Sequence, residues 1–466
     1  MMMIKTIYYY IVLLLLLVTL IKANSNSNNK QQFATKQEYV EHLENLSKQF
    51  IHHHAVSIKP INNNEKDNIY YANKERGIFV NEDIKEGSDI VNLQWINIFS
   101  LDRIKHETPH LYQLLQENDV SAEIGLAISL MYYRYCKDDT TSEYYQWMNS
   151  LPTELNTGLY FNPDEIQLLK GSPAFVHLML QIDQTREMYQ KLNGEMFKDK
   201  IFDGCAINWD RYKWAVSIVG SRGIYTELPI DKELEKKKET KEKEEKEEEE
   251  ESLQQRLTIV LAPFIDYFNH NNDAQATYDF DHESSSIRVS LLKSVKSGEQ
   301  IFLNYGNQNC DSDFLIDYGF VESNINCVNV LFEELLELIP DNDPKLIEKT
   351  TILEEAFSHG QRLKLFSGSL TEELLKISKY LAYKNNGLLE FLKQLINLKI
   401  ANYPTTVEQD KALVSSASFQ SISYRSRLAT TMAMHEKVVL HSVLKLIQDK
   451  ITDSSEPIKS NVKDEL

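Results

Sequence analysis

The chain has 466 residues, 42% hydrophobic and 10% aromatic, with 69 acidic residues against 50 Lys and Arg for a formal net charge of −19. That apolar content excludes a wholly disordered chain, and the acidic excess argues against phosphate neutralisation, so no nucleic-acid partner is expected. Four cysteines are too few for a dense disulfide scaffold or paired four-thiolate zinc sites, and no metal is expected.

Residues 1–23 read as a secretory signal, with Lys5 as the positive start, Ile11–Ile21 as the apolar run and Ala23 at the cleavage point. The run is short for a span of about 20 residues, so no stable membrane span is expected after cleavage; with Ile7–Tyr10 included, an uncleaved anchor is the alternative. Residues 24–66 form an N-terminal segment, disordered where Asn, Ser and Gln dominate. It is helical over Phe33–Ile58, where Tyr39, Leu43, Leu46 and Phe50 keep helical spacing. Asn45-Leu46-Ser47 is a glycosylation acceptor pattern. His52-His53-His54 reads as a solvated helix end, because one turn cannot aim three successive side chains at one ion.

From 67 to 99 the texture changes to short β-like runs, Ile69–Tyr71, Gly77–Val80 and Ile90–Trp95. About 101–220 is helical, and strand-like runs return at Leu257–Leu261, Ala276–Phe280, Ile287–Leu292 and Gln300–Asn304. After Val330 the pattern is helical to about Ile451. Asp231–Glu251 holds 12 acids and 7 lysines, contributing −5, and reads as a solvated loop or exposed helix. A calcium buffer is the alternative for that run, disfavoured by its interleaved lysines. Residues 453–466 form a tail whose last four, Lys463-Asp464-Glu465-Leu466, are the receptor-read address for endoplasmic reticulum retention. Lumenal residence and the KDEL receptor as a partner are therefore expected. Disulfides are permitted there; Cys136, Cys205, Cys310 and Cys327 match no zinc or thioredoxin spacing, and Cys310 and Cys327 either pair or stay buried thiols.

Four separated segments carry the chemistry. They are Asn73-Lys74-Glu75-Arg76-Gly77-Ile78-Phe79, Trp214 through Ser221-Arg222, Leu261 through Asp266-Tyr267-Phe268-Asn269-His270, and Gly298-Glu299-Gln300-Ile301-Phe302-Leu303-Asn304-Tyr305-Gly306 running on to Asp317-Tyr318-Gly319-Phe320. In this order they resemble the SET-domain methyltransferases, in the branch of the Rubisco large-subunit lysine methyltransferase and the actin-histidine methyltransferase. Trp147 before Leu151-Pro152, Gly158–Phe161, and Tyr403-Pro404-Thr405-Thr406 with Arg427 extend the likeness over residues 67–450. The resemblance implies an α+β protein: a SET β-fold split by a helical insertion, over 67–325, followed by an all-α C-terminal substrate-binding domain over 326–452.

The resemblance also implies S-adenosyl-L-methionine as cofactor, a protein lysine side chain as substrate, and a monomer. The turn Lys74, Glu75, Arg76 and Gly77 would offer backbone groups to the cofactor, Gly77 permitting close approach, although the turn's first glycine is replaced here. Arg222 would pair with the cofactor carboxylate, while Asp266, Asn269, His270 and Phe320 complete the cofactor site. Tyr305 and Tyr318, 13 residues apart, would be the catalytic pair. With Thr226 and Asp266 they would also contact the substrate, holding a neutral nitrogen in line with the methyl group. Ile265 stands where the histidine-methylating relative carries Trp, which favours lysine over histidine. A degenerate SET protein that binds polypeptides without turnover is the non-enzymatic alternative.

Overall fold

The structure, a computed structural model, describes residues 32–33, 41, 43, 45, 56–60, 70–71, 76–137, 141–142, 144–227, 257–306, 309–322, 327–358, 362–382 and 387–452. The signal at 1–23, His52–His54, Lys74, Glu75, the acidic run 231–251 and Lys463–Leu466 lie outside the described residues. Asn45 is helical and exposed. Contacts divide the chain into two bodies interleaved in sequence: one holds 26–155 and 184–307, the other 1–25, 156–183 and 308–466.

The first body contains β1 (Gln32–Phe33), β2 (Val56–Pro60), β3 (Tyr70–Tyr71), β4 (Arg76–Val80), β5 (Asp89–Gln94), β6 (Gly223–Glu227), β7 (Leu257–Leu261), β8 (Asn269–His270), β9 (Ala276–Asp281), β10 (Ser286–Leu291) and β11 (Gln300–Leu303). They form small sheets in the orders β2-β4-β11-β8 and β5-β10-β9, with two ribbons, β1-β3 and β6-β7. All pairings are antiparallel except β11 with β8.

One sequence expectation fails here. The helix expected through Ile58 gives way to β2, paired with β4 so that Ile58 faces Ile78. Val56 and Ile58 are 3% and 4% exposed while Lys59 is exposed, a period of two that a window tuned to 3.6 overlooks. The sheet therefore starts before residue 67. Strand β6 also follows directly where helical texture was expected to end.

Helices fill the insertion. Ser121 accepts a hydrogen bond from the Ile124 N–H and starts Ala122–Tyr135, and Asn208 does the same from Arg211 for Trp209–Arg222. The two helices pack together. Trp214 Nε1 donates to the Pro152 carbonyl at 2.8 Å, and the Arg134 guanidinium lies 4.4 Å from the Trp214 ring. A Cys136–Cys205 disulfide ties the end of the first helix to the approach of the second.

In the second body, Asn162 and Glu165 form a reciprocal cap on Pro163–Gln167. Phe314–Tyr318 is a π-helical turn, an element common at functional sites. It ends at Gly319, with φ +80°, where a Cβ would stand 2.6 Å from the Asn156 carbonyl carbon, so only glycine fits. The helices Phe332–Glu337, Leu346–Ser358, Glu372–Leu381, Leu388–Asn402, Val407–Val414 and Tyr424–Thr452 follow. They bury a core that includes Leu353, Leu374, Leu392, Leu395, Ile396, Leu440 and Val443. The domain is helical as expected but not all-α. Strands β12 (Cys327–Val330), β13 (Leu363–Phe366) and β14 (Ser369–Leu370) make an antiparallel sheet. Runs of four apolar-rich residues carry no period that separates a buried strand from a helix. Cys310 and Cys327 are bonded, which closes the alternative of free thiols.

Candidate active site

In the first body, β4 and β11 lie side by side with Ile301 opposite Ile78, and β8 runs parallel to β11 with His270 beside Leu303. Residues 76–77, 269–270 and 305 thus meet at one end of the sheet. Gly77 leaves room for the side chains that meet there: a Cβ would stand 2.1 Å from Gln300 Nε2 and 3.0 Å from Asn269 Nδ2. Asn269 Nδ2 donates to the Arg76 carbonyl at 2.7 Å. The Tyr305 backbone N–H donates to His270 Nδ1 at 3.0 Å, and the two rings are 5.2 Å apart. His270 is therefore a neutral ring with its proton on Nε2, and burial holds its pKa below the ordinary histidine value.

The Tyr305 hydroxyl donates to the Phe268 carbonyl. Its proton is committed, so toward a ligand the oxygen presents lone pairs.

The turn carrying this motif is strained. Phe264 has φ +75° and ψ −44°, close to the rare γ-turn, and is fully buried with its ring edge-on to Phe268 at 6.1 Å. The turn drives the Asp266 side chain inward, where it is 0% exposed. Arg222, the last residue of its helix, donates through Nη1 to the Asp266 carbonyl at 2.6 Å and to Asp266 Oδ2 at 3.2 Å. Trp147 Nε1 donates to the same Oδ2 at 3.3 Å. Burial pushes the Asp266 carboxyl up against the opposing pull of Arg222 and Arg76. The sequence reading gave Asp266 a direct contact with cofactor and substrate. In the structure its Oδ2 is the buried anchor that orients Arg222, while Oδ1 is buried with no hydrogen-bond partner among the described residues.

Sequence reasoning missed three contributors. Tyr267 stacks under the Arg76 guanidinium at 4.5 Å and hydrogen-bonds to Ser150; burial raises its pKa to about 12. Gln300 packs across Gly77. The side chain of Arg76, read only as backbone, is 6% exposed and turned inward with Ile78 and Val80. A charged residue two before an Ile at strand spacing was the signal available. Thr226 is buried on β6 opposite Thr258. Tyr318 and Phe320 belong to the second body, where Phe314 and Phe320 stack at 5.0 Å and Tyr318 lies 6.1 Å from Phe320. Beside them Asp317 faces His177 at 3.8 Å and accepts from Gln181 at 3.5 Å.

Residues 75–306 match the family profile of the SET domain, and residues 341–440 that of the Rubisco LSMT substrate-binding domain. Among curated proteins, the human actin-histidine N-methyltransferase is 23% identical over 357 residues, 68% of this chain and 55% of its own. The enzyme of that name from Xenopus tropicalis is 27% identical over 202 residues, 42% of this chain and 30% of its own. This chain thus spans about half the length of the curated relatives it matches. The SET domain of LSMT bound to lysine and AdoHcy superposes with TM-score 0.64 at 18% identity, covering 89% of this chain and 92% of that one. Rubisco LSMT bound to AdoMet superposes at TM-score 0.63, also at 18% identity, covering 88% and 92%.

Proposed function

Because this chain is a SET-domain protein with a Rubisco LSMT substrate-binding domain behind it, we propose that it is an S-adenosyl-L-methionine-dependent protein-lysine N-methyltransferase. The observation that carries this reading is Tyr305, whose hydroxyl proton is spent on the Phe268 carbonyl beside a neutral His270 and the Gly77 cradle.

The residues fit the cofactor. A cradle that one Cβ would fill, and buried Arg76 Nη1, Gln300 Nε2 and Asp266 Oδ1 without hydrogen-bond partners, leave donors and an acceptor for a zwitterionic ligand. When bound, that ligand supplies a sulfonium methyl group. Arg222, held by Asp266, offers its fork to a carboxylate. Asn269 and His270 line the turn, and Tyr305 accepts a hydrogen bond from the incoming amine, which fixes the direction of its nitrogen lone pair. With the ligand bound, its sulfonium methyl would be the group passed to that nitrogen, the thioether would be the leaving group, and the proton released by the lysine ammonium would go to solvent. A lysine with pKa about 10.4 must first lose a proton, which an aromatic, poorly hydrated channel favours. Thr226, in the same body as Tyr305, is proposed to shape that channel.

Histidine is the second reading, favoured by the name of the curated relatives. Ile265, buried at 2% exposure, supports lysine, since the histidine-methylating pattern places an indole there. We further propose that the protein works in the endoplasmic reticulum lumen, with the KDEL receptor as a partner and Asn45 as a glycosylation acceptor. The support is that all four cysteines are disulfide-bonded, which an oxidising compartment sustains.

The test is methyl transfer from labelled S-adenosyl-L-methionine to lumenal polypeptides, with the methyl group located by fragmentation mass spectrometry. A methyl on lysine supports the reading; one on histidine replaces it. A cooperatively melting protein that binds no cofactor would leave a polypeptide-binding module.

A further inference from the structure

Among the described residues the site contains two guanidinium groups and one carboxylate. Arg222 is in ion-pair contact with Asp266, while among the described residues no carboxylate is in ion-pair contact with Arg76. Arg76 is nevertheless 6% exposed, and its Nη1 is buried without a hydrogen-bond partner. The Tyr267 ring face, which attracts a cation but accepts no directional bond, lies 4.5 Å from its guanidinium, and the Asp266 carboxylate feels its charge without an ion-pair contact. Asp266 itself has given Oδ2 to Arg222 and Trp147. One buried anion thus faces a buried and a half-buried cation, and an uncompensated buried charge is costly unless something else pairs with it. The backbone carbonyl of this same arginine accepts from Asn269, while its side chain, on the opposite face of β4 from the position of a Gly77 Cβ, points toward Tyr267 and Asp266.

We propose that the Arg76 side chain is a second carboxylate-binding group, which with Arg222 makes the site selective for a ligand carrying an α-amino-acid carboxylate. This rests on the methyltransferase reading above. Arg222 is partly consumed by Asp266, so a single arginine would offer a carboxylate a nearly neutral pair. Arg76 restores a full positive charge, and its stacking on Tyr267 holds the fork in place before the ligand arrives.

The experiment is calorimetric titration of the full chain with S-adenosylhomocysteine and with its decarboxylated analogue, S-adenosyl-3-thiopropylamine. Wild-type protein is expected to prefer the carboxylate form by at least about tenfold, the worth of a charge-assisted hydrogen bond. Arg76→Met, which keeps length and packing but no charge, should cut that preference about tenfold while leaving affinity for the analogue nearly unchanged. Arg76→Lys keeps the charge without the fork and should fall between them. Equal wild-type affinity for the two ligands overturns the proposal. So does an Arg76→Met protein that melts cooperatively and keeps the wild-type preference, or, should that variant not fold, an Arg76→Lys protein with the preference intact. Wild-type protein that binds neither ligand removes the methyltransferase reading and this proposal with it. Binding without an effect at Arg76 removes this proposal alone.

Discussion

Both bodies bury charge, and they complete it differently. In the C-terminal body Lys399, 0% exposed, spends its ammonium on both Glu334 oxygens at 2.7 Å and on the Asn329 carbonyl at 2.9 Å. Lys349 does the same with Asp343 at 2.8 Å and the Leu381 carbonyl at 2.7 Å. Lys437 meets Asp410 and Thr405. In the first body Arg76 Nη1, Asp266 Oδ1 and Gln300 Nε2 are buried and unanswered. A closed network locks helices together, whereas an open one is tolerated where a ligand completes it. Glu436 is less fully answered than these: Tyr403 donates to its Oε2 at 2.7 Å, while Oε1 accepts no hydrogen bond among the described residues.

Breaking the closed network should cost most. Lys399→Met leaves Glu334 buried and unpaired, and should lower unfolding free energy by about 3–5 kcal/mol in a urea titration. The double variant Lys399→Met/Glu334→Leu should recover most of that loss, since an apolar pair replaces the ion pair without an orphan charge. Unfolding midpoints that do not differ between single and double variants would contradict the comparison.

Tyr305→Phe should lower methyl transfer by about a hundredfold, the usual worth of one oriented polar group at a reacting centre. Calorimetry on the same variant should find cofactor affinity little changed. Undiminished turnover would remove Tyr305 from the chemistry.

Glu436 sharpens the contrast through pH. Burial raises its pKa to about 7 from an ordinary 4.5, against the lowering influence of Ser172, Tyr403 and Lys399. Below about pH 4.5 the carboxyl is protonated both folded and unfolded, and costs nothing. As pH rises from there toward 7, the unfolded chain ionises while the native state resists. Native stability therefore falls by about 3 kcal/mol, the full penalty being reached above pH 7. Glu436→Gln should flatten that slope, as followed by thermal melts between pH 5 and 8; an unchanged slope assigns it to other groups.

The smallest effect is expected at the cradle. Gly77→Ala forces the Gln300 amide aside, a flexible group that can move, so cofactor affinity should drop a few-fold with little change in melting temperature. A variant that binds as tightly as wild type would show that the close approach at Gly77 is not used.

Much of the fold was legible because period and residue type report it directly. Ile90–Trp95 and Ile287–Leu292 alternate as strands do and pair as β5 and β10, and the long helical stretches carry their own caps at Ser121 and Asn208. Strands β12 and β13 were lost because they are too short to display a period, and β2 because its period of two sits at the end of a stretch with helical spacing; pairing with distant partners, not local preference, makes them strands. The same division runs through the site. Gly77, Arg222, Asn269, His270 and Tyr305 stood out by motif. Tyr267, Gln300 and the Arg76 side chain did not, since nothing in a Tyr, a Gln or an Arg on a strand announces which neighbour it will meet.

By itself the sequence determined the β, helix, β, helix order, the motif residues and the acidic surface charge, all of them properties of residue type and local spacing. Only the tertiary structure decided that Asp266 turns inward to hold Arg222, that the Tyr305 proton goes to Phe268, and that Arg76 is buried with an open donor. These depend on strand register and on a strained turn at Phe264. They bring together residues more than two hundred positions apart, where no periodicity reaches.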